Sequence, residues 1–345
     1  MRQLSFAVAV LAVIALLIGQ SSGVAGIIGM GVIGLLLAAV TFRSPGLPFF
    51  LKIFSGVFGI EYMVFGVCAL LAQFGWWPIE QIPAFPTSLS TTIGIFGILI
   101  YAISFVPVIA KIARMASPYF EADEITTANL WPIGPFKIRL GALAVSLFVF
   151  LIVLNQIQVG VTLRLSFFNR DMYDALQKMD AAAFWYQLIW VFCVWAALWV
   201  VSNLIELFAN YTLLIRWRQF MANAYSASWL RSGTHYRITL AGSVDNPDQR
   251  IAEDTRSFVN QTYSFALPLL TQVSTLVSFS IILWNINVAF TIPGTSIAVP
   301  GYIFWVAFIY AVVATWLTHL IGQPLIRLEF EQERREANSG MARLR

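Results

Sequence analysis

Long apolar stretches separated by polar segments constrain the fold of this chain more than any other feature. A helix needs about 20 mostly apolar residues to cross the hydrocarbon core of a bilayer, and eight stretches of the 345-residue chain reach or approach that length. They cover residues 4–19, 24–41, 51–74, 91–112, 140–165, 183–215, 263–290 and 302–321. Only 11% of the residues are charged, whereas soluble domains carry about a quarter. The sequence therefore predicts an all-α polytopic membrane protein with about eight transmembrane helices.

Basic residues between these stretches predict how the helices are oriented. If the N-terminus lies in the cytoplasm and eight helices alternate, 18 of the 21 Lys and Arg residues fall on the cytoplasmic side. Only Arg164, Arg170 and Lys178 fall on the other side. Cytoplasmic loops carry an excess of Lys and Arg, so we expect a multi-pass protein of a bacterial inner membrane with both termini in the cytoplasm. The same sorting by loop argues against a nucleic-acid-binding patch, despite the net charge of +4.

The character of the chain changes near residue 115. Residues 1–115 hold four apolar stretches with short, nearly uncharged connections, which predicts an N-terminal four-helix membrane bundle. Residues 116–138 are polar and contain three prolines, which predicts a cytoplasmic linker. Residues 139–345 hold four more stretches and the longest polar segment, 214–262. A helix over 183–215 would measure about 50 Å against a hydrocarbon core of about 30 Å, so we expect it to project beyond the bilayer.

Motifs for nucleotide or metal binding are absent from the sequence. The chain has no G-x-x-x-x-G-K-[ST] loop and no H-E-x-x-H, and its two histidines, His235 and His319, lie far apart. We therefore expect no cofactor, metal or catalytic residues on this chain. Gly29, Gly31 and Gly34 match a dinucleotide-binding pattern, but they lie inside an apolar run with no preceding strand. Small residues that let helices approach closely in lipid explain them better.

The strongest local signal lies in the polar segment between the sixth and seventh stretches. Asn246 suits a helix N-cap, Pro247 suits the first helical position, and Gln249 stands where it can complete a capping box. Arg250 and Asp254 would add an i, i+4 ion pair. The pattern predicts a short amphipathic helix, either an ordinary loop helix or a docking helix for a cytoplasmic partner. Such a partner would contact Asp245, Asn246, Pro247, Asp248, Gln249, Arg250, Glu253 and Asp254.

Ionisable and aromatic residues at the apolar stretches are further candidates. Glu61 and Glu206 lie within the third and sixth stretches, and ionisable groups inside a membrane are costly and often functional. Glu61 suits a proton relay or a substrate path, with packing beside its neighbours as the alternative. Glu206 suits the same path, unless it is simply hydrated near the cytoplasmic end of its helix. Arg216, Trp217 and Arg218 suit an anchor at the membrane interface or a partner contact.

Five ordered motifs over about half of the chain resemble the membrane domain of ABC transporters of the SbmA/BacA-like group, and more distantly the peroxisomal fatty-acyl transporters. They are residues 168–177 (FNRDMYDALQ), 215–218 (IRWR), 245–254 (DNPDQRIAED), 315–322 (TWLTHLIG), and 324–328 with 330–337 (PLIRL and FEQERREA). The resemblance implies part of an ABC type-1 transmembrane domain. It also implies that residues 246–254 contact the ATPase domain.

Further expectations come from the same resemblance. The family core has six helices, of which four are visible after residue 138, so we expect a member truncated before its last two helices and its ATPase domain. Transport would then need a homodimer. ATP with magnesium would bind an ATPase domain on a separate chain or in the missing C-terminal part. Members of the group import peptides and sometimes cobalamin or bleomycin.

Three functions remain open on the sequence alone. The first is the permease part of an ABC-type transporter for peptides or similar bulky solutes, without enzymatic activity of its own. The second is a proton-driven, SbmA-like peptide carrier that needs no ATPase. The third is a truncated remnant or accessory membrane protein that does not transport.

Overall fold

The computed structural model describes residues 1–76, 87–130, 134–241, 247–285, 290–291 and 298–342. The chain divides into two compact units, Met1–Gln272 and Val273–Arg345. Asp245 and Asn246, at the start of the predicted docking helix, lie outside the described residues.

Three long helices open the first unit: α1 (Arg2–Ser22), α2 (Ala25–Arg43) and α3 (Phe49–Gln73). Gly23 ends α1 with a left-handed φ of 68°, which a residue without a Cβ adopts at little cost. The next helix begins two residues later, so α1 and α2 form a tight hairpin.

Small residues on α2 allow its neighbours to pack closely. A Cβ added to Gly34 would overlap the Tyr62 hydroxyl of α3 and would lie 2.7 Å from the Ala12 Cβ of α1. A Cβ added to Gly31 would lie 2.9 Å from the Ala12 carbonyl oxygen. The G-x-G-x-x-G run therefore serves helix packing at these two glycines, whereas the space beside Gly29 is open.

A sharp bend separates α4 (Thr87–Ile103) from α5 (Pro107–Phe120), whose axes differ by 95°. The stretch predicted as one span over 91–112 is therefore bent, and its two helices form either a broken span or a re-entrant loop. Pro107 suits the first position of a new helix because it has no amide hydrogen to leave unpaired. α5 is also amphipathic: it buries Ala113 and Ala116 and exposes Lys111 and Arg114. α4 alone measures about 25 Å, close to the shortest length that crosses a bilayer.

A β-hairpin follows α5 within the segment predicted as a linker. Strand β1 (Ile125–Leu130) pairs antiparallel with β2 (Gly134–Arg139). The hairpin is fixed to the start of the next helix, since the Leu140 amide donates to the Glu124 carbonyl at 2.8 Å and the Gly141 amide to the Ala122 carbonyl at 2.9 Å. Residues 116–138 thus contain the end of α5 and most of this hairpin.

Two very long helical segments follow. α6 (Leu140–Gln177) contains 38 residues. α7 (Ala181–Tyr186) continues through a π-helical segment, Gln187–Cys193, into α8 (Val194–Leu230). Together these last three make 50 residues of helix, about 75 Å in length. The helix is therefore longer than a bilayer is thick, as the 183–215 stretch predicted.

Three further helices and two short strands complete the described chain. They are α9 (Thr234–Ala241), α10 (Pro247–Asn285), β3 (Phe290–Thr291), β4 (Ala298–Val299) and α11 (Tyr302–Ala342). In the second unit β3 pairs antiparallel with β4. The Trp284 ring packs edge-on against Phe304 there, with 5.6 Å between centroids.

An aromatic cluster joins the N-terminal helices to α6 and α8. Its members are Phe50 and Phe54 of α3, Tyr119 and Phe120 of α5, Phe148 of α6 and Trp217 of α8. All six rings are buried, and neighbouring centroids lie 5.2–6.0 Å apart. Because residues from both sides of position 115 share this core, the expected domain boundary does not coincide with a gap in packing.

The count of candidate spans agrees with the predicted class. Among the described residues, seven helices are long and apolar enough to cross a membrane, or eight if the bent pair of α4 and α5 counts as one span. The chain is an all-α polytopic membrane protein with only two short hairpins of β-structure among the described residues.

Candidate functional site

Polar side chains meet between α6, α8 and α10 inside otherwise apolar helices. The polar cluster consists of Asn155, Gln158, Glu206, Asn210 and Thr271. The Asn155 Nδ2 donates to the Thr271 Oγ1 at 2.6 Å, and the Gln158 Nε2 donates to the Glu206 Oε2 at 2.8 Å. Asn210 lies one turn after Glu206 and therefore on the same face of α8.

Two acceptors of this polar cluster have no partner. The side-chain oxygens of Asn155 and Asn210 are buried and accept no hydrogen bond from any residue that the structure describes. A buried polar atom without a partner costs about 1–3 kcal/mol. The polar cluster therefore offers two free acceptors and a carboxylate to a ligand that brings N–H or O–H donors.

The structure places the two intramembrane acids in different environments. Glu206 is half-buried and bonded to Gln158. Glu61 is also half-buried, on α3, but its Oε2 is buried without a hydrogen-bond partner among the described residues. No hydrogen bond joins these two acids, both of which the structure describes.

The structure bears on one residue of the predicted interface anchor, Trp217. Trp217 is fully buried and stacks on Tyr119, with 5.8 Å between centroids and 7° between the ring planes. Its role as an anchor in the membrane interface is therefore wrong, because its ring is part of the aromatic cluster and does not reach lipid. Arg218 is exposed and Arg216 is half-buried beside it, so these two remain available to lipid headgroups or to a partner.

The predicted docking segment is the first part of a long helix. α10 runs for 39 residues from Pro247, so the expectation of a short helix is wrong. The Gln249 Nε2 donates forward to the Glu253 Oε1 at 2.8 Å. Arg250 and Asp254, both described, form no ion pair, so that predicted contact is also wrong.

Side-chain exposure nevertheless keeps this segment available to a partner. Asp248, Gln249, Arg250, Glu253 and Asp254 are all exposed. Further along the helix one side turns inward, since Thr255 and Val259 are buried. The start of α10 therefore presents a mixed-charge surface, with the acidic Asp248 in the first helical turn, where it suits the helix dipole.

Sequence reasoning missed most of the polar cluster. Asn155 and Gln158 are three residues apart on α6, and Glu206 and Asn210 are four apart on α8. Those spacings place each pair on one face of its helix. The repeated polar positions inside apolar stretches were the available signal.

Comparison with known proteins supports the resemblance to ABC transporter membrane domains over the second half of the chain. The model of the family described as ABC transporter transmembrane region 2 matches residues 139–343. A chloroplastic ABC transporter D family member 2 of Arabidopsis thaliana is 30% identical over 228 residues, which cover 66% of this chain and 28% of that protein. An uncharacterized ABC transporter ATP-binding protein of Haemophilus influenzae is 29% identical over 192 residues, 55% of this chain and 32% of its own length.

A third relative is similar to the same extent. The inner membrane ABC transporter ATP-binding protein YddA of Escherichia coli is 28% identical over 184 residues, which cover 52% of this chain and 33% of that protein. The chain thus spans about a third of the length of these curated relatives. No solved structure matches it. Because the family model covers more than half of the 345 residues, the chain belongs to the ABC transporter transmembrane region 2 family.

Proposed function

We propose that the chain is the membrane-spanning permease part of an ABC-type transporter. The family match over residues 139–343 supports the permease role. Relatives named as ABC transporter ATP-binding proteins support coupling to an ATPase domain. ATP and magnesium would bind that domain, on a separate chain or in a further segment, because this sequence has no P-loop motif. The exposed start of α10 is the surface that would contact it.

Peptides or similar bulky solutes are the substrate class we propose. The observation that carries this is the polar cluster, with a carboxylate at Glu206 and free acceptors at Asn155 and Asn210. A peptide brings one backbone N–H donor for nearly every residue, and a cationic peptide adds ammonium or guanidinium groups. Such a solute would satisfy the acceptors that the protein leaves unpaired.

A homodimer would enclose the transport path. In the apolar part of α6, half of the residues are buried. In the apolar part of Ala181–Leu230, only 11% of the residues are buried. A second copy is the partner we propose for the earlier part of that helix, where Trp190, Val194 and Leu198 are exposed. Cysteine cross-linking in native membranes tests this, and α8-to-α8 cross-links should form between two copies.

Peptide uptake by cells that produce the chain is the test of the transport function. A labelled cationic peptide should enter in an ATP-dependent way, and Glu206→Gln should lower the rate about tenfold, because a charged hydrogen-bond acceptor is lost. Asn203→Ala is the matched control, since Asn203 donates to the Trp199 carbonyl of its own helix at 2.7 Å. Uptake independent of Glu206 contradicts the proposed path, and absence of any uptake favours a non-transporting protein.

Glu61 favours a second candidate, a proton-driven carrier like the SbmA/BacA group. A half-buried carboxylate with an unpartnered oxygen inside α3 suits a group that takes up and releases a proton. Under this alternative an uncoupler should stop uptake even while ATP is maintained. Glu61→Gln should then abolish the dependence of uptake on external pH. Uptake that follows ATP and ignores the uncoupler rejects the alternative.

A further inference from the structure

A cavity of about 440 Å³ lies beside the hairpin and α8, away from the polar cluster. Its walls include Glu124 and Thr126 from the hairpin side, Leu140 from α6, and Arg216, Gln219 and Asn223 from α8. The volume is within the range of small-molecule sites.

Two residues of opposite charge, Glu124 and Arg216, line this cavity. Both are described, and no ion pair joins them. A purely anionic ligand would be repelled by Glu124, and a purely cationic one by Arg216. The arrangement suits a ligand that carries both a phosphate and an ammonium group, with the phosphate at Arg216 and the ammonium at Glu124.

The cavity lies where two neighbouring helices leave their apolar regions. Leu140 is the first residue of the apolar run of α6 and directly follows the basic Lys137 and Arg139. The apolar run of α8 ends at Arg216 and Arg218. Basic residues flank transmembrane helices at the headgroup level, so both helices place the cavity at a membrane interface.

The face of α8 that lines the cavity continues along the helix as a stripe of exposed apolar residues. Gln219 and Asn223 line the cavity. Ile215, Tyr211 and Phe208 precede them at three- and four-residue intervals and are 62%, 58% and 73% exposed. Residues at these intervals share a helix face. This face is therefore polar at the cavity and apolar along the membrane-spanning part of α8.

We propose that this cavity binds the headgroup of an amine-bearing zwitterionic phospholipid, whose acyl chains lie along Phe208, Tyr211 and Ile215. Arg216 and the amide side chains of Gln219 and Asn223 bind the phosphate, and Glu124 accepts hydrogen bonds from the primary ammonium. The site is separate from the transport path and does not depend on the proposed substrate.

Native mass spectrometry of the full chain in detergent tests the proposal, with phosphatidylethanolamine, phosphatidylcholine and phosphatidylglycerol as probes. Phosphatidylethanolamine should bind in preference to the other two. Glu124→Gln should remove the preference over phosphatidylcholine, because only the primary ammonium donates to that carboxylate. Arg216→Gln should weaken phosphatidylethanolamine binding about tenfold, the effect of losing one charged hydrogen bond.

Arg231→Gln is the matched control, because Arg231 is exposed beyond the end of α8 and does not line the cavity. It should leave binding unchanged. Soluble glycerophosphoethanolamine should bind far more weakly than the lipid, since it lacks acyl chains. Equal lipid binding by all variants, a preference for phosphatidylglycerol, or tight binding of the soluble headgroup overturns the proposal. If Arg216→Gln does not fold, the lipid preference of Glu124→Gln, a substitution at an exposed residue, is sufficient to test the proposal.

Discussion

At the scale of single residues, Trp217 is the position whose loss should cost most. Its ring is fully buried among aromatic side chains from two other helices. Trp217→Ala would leave a cavity there and should lower the free energy of unfolding by about 3–5 kcal/mol. Unfolding in detergent, followed by circular dichroism against denaturant, measures the change.

Two further variants separate packing from other effects of a tryptophan. Trp199→Ala, on the same helix but 44% exposed, should change stability by less than about 0.5 kcal/mol. Trp217→Phe should cost less than Trp217→Ala, because it keeps an aromatic ring and removes an indole N–H that has no partner among the described residues. Equal losses for Trp199→Ala and Trp217→Ala would show that the aromatic cluster contributes no special stability.

The burial of Trp217 shows why some site residues could not be predicted from sequence. The sequence Arg216-Trp217-Arg218 after an apolar run is typical of a membrane-interface anchor. Its true environment depends on Phe50 and Tyr119, which lie far away in sequence and contact it only after α3, α5 and α8 pack. Local pattern carries no information about such contacts. Glu206, by contrast, could be identified because a charge inside an apolar stretch is visible in the sequence itself.

At the scale of elements, Gly141 controls the junction between the hairpin and α6. A Cβ at this position would lie 2.6 Å from the Phe120 carbonyl oxygen and 2.8 Å from the Ala122 carbonyl oxygen. Gly141→Ala should therefore displace the hairpin and lower the free energy of unfolding by about 1–3 kcal/mol. Gly160→Ala in the same helix is the control: its Cβ would meet open space, so it should gain about 0.5–1 kcal/mol. Denaturant titration of both variants should give opposite signs.

The start of α10 is the element that we expect to couple the chain to its ATPase domain. Asp248 and Arg250 are exposed at the beginning of the helix, and exposed charges of both signs favour a partner with a complementary pattern. The double variant Asp248→Asn, Arg250→Gln should lower transport-coupled ATP hydrolysis about tenfold without changing membrane insertion. Arg256→Gln, six residues further along α10, removes one charge of the same helix and should retain activity. ATP hydrolysis equal in the double variant and the parent would rule out a coupling role.

The elements themselves were largely predictable, and the exceptions have physical causes. Long apolar stretches dictate helices because lipid offers no partner for a free backbone group. The bend before Pro107 was missed because the apolar character of the stretch continues beyond it, to Ile112. The hairpin was missed because its strands are only six residues each and lie in a proline-containing polar segment. A continuous α10 was missed because its first turns are polar while its later turns are apolar.

At the scale of the whole molecule, the helix lengths determine which residues lie on opposite sides of the membrane. α6 contains 38 residues and measures about 57 Å, well beyond a hydrocarbon core of about 30 Å. Lys178 directly follows its end. Arg216 shares a cavity with Leu140 at the other end of α6, so Arg218 lies near that other end. Lys178 and Arg218 must therefore face opposite sides, whichever way the protein is inserted.

The distribution of basic residues then predicts which end of α6 faces the cytoplasm. If the eight predicted spans alternate, 18 of the 21 Lys and Arg residues lie on the side of Arg218. Positive segments stay in the cytoplasm, so Lys178 should face outward. Single cysteines at these two exposed positions, in a Cys68→Ser, Cys193→Ser background, measure this with an impermeant maleimide on intact cells. Lys178→Cys should react at once, and Arg218→Cys only after permeabilisation. Reaction of both from one side would mean that α6 does not cross the membrane. The reverse pattern would place Arg218 outside and contradict the predicted orientation.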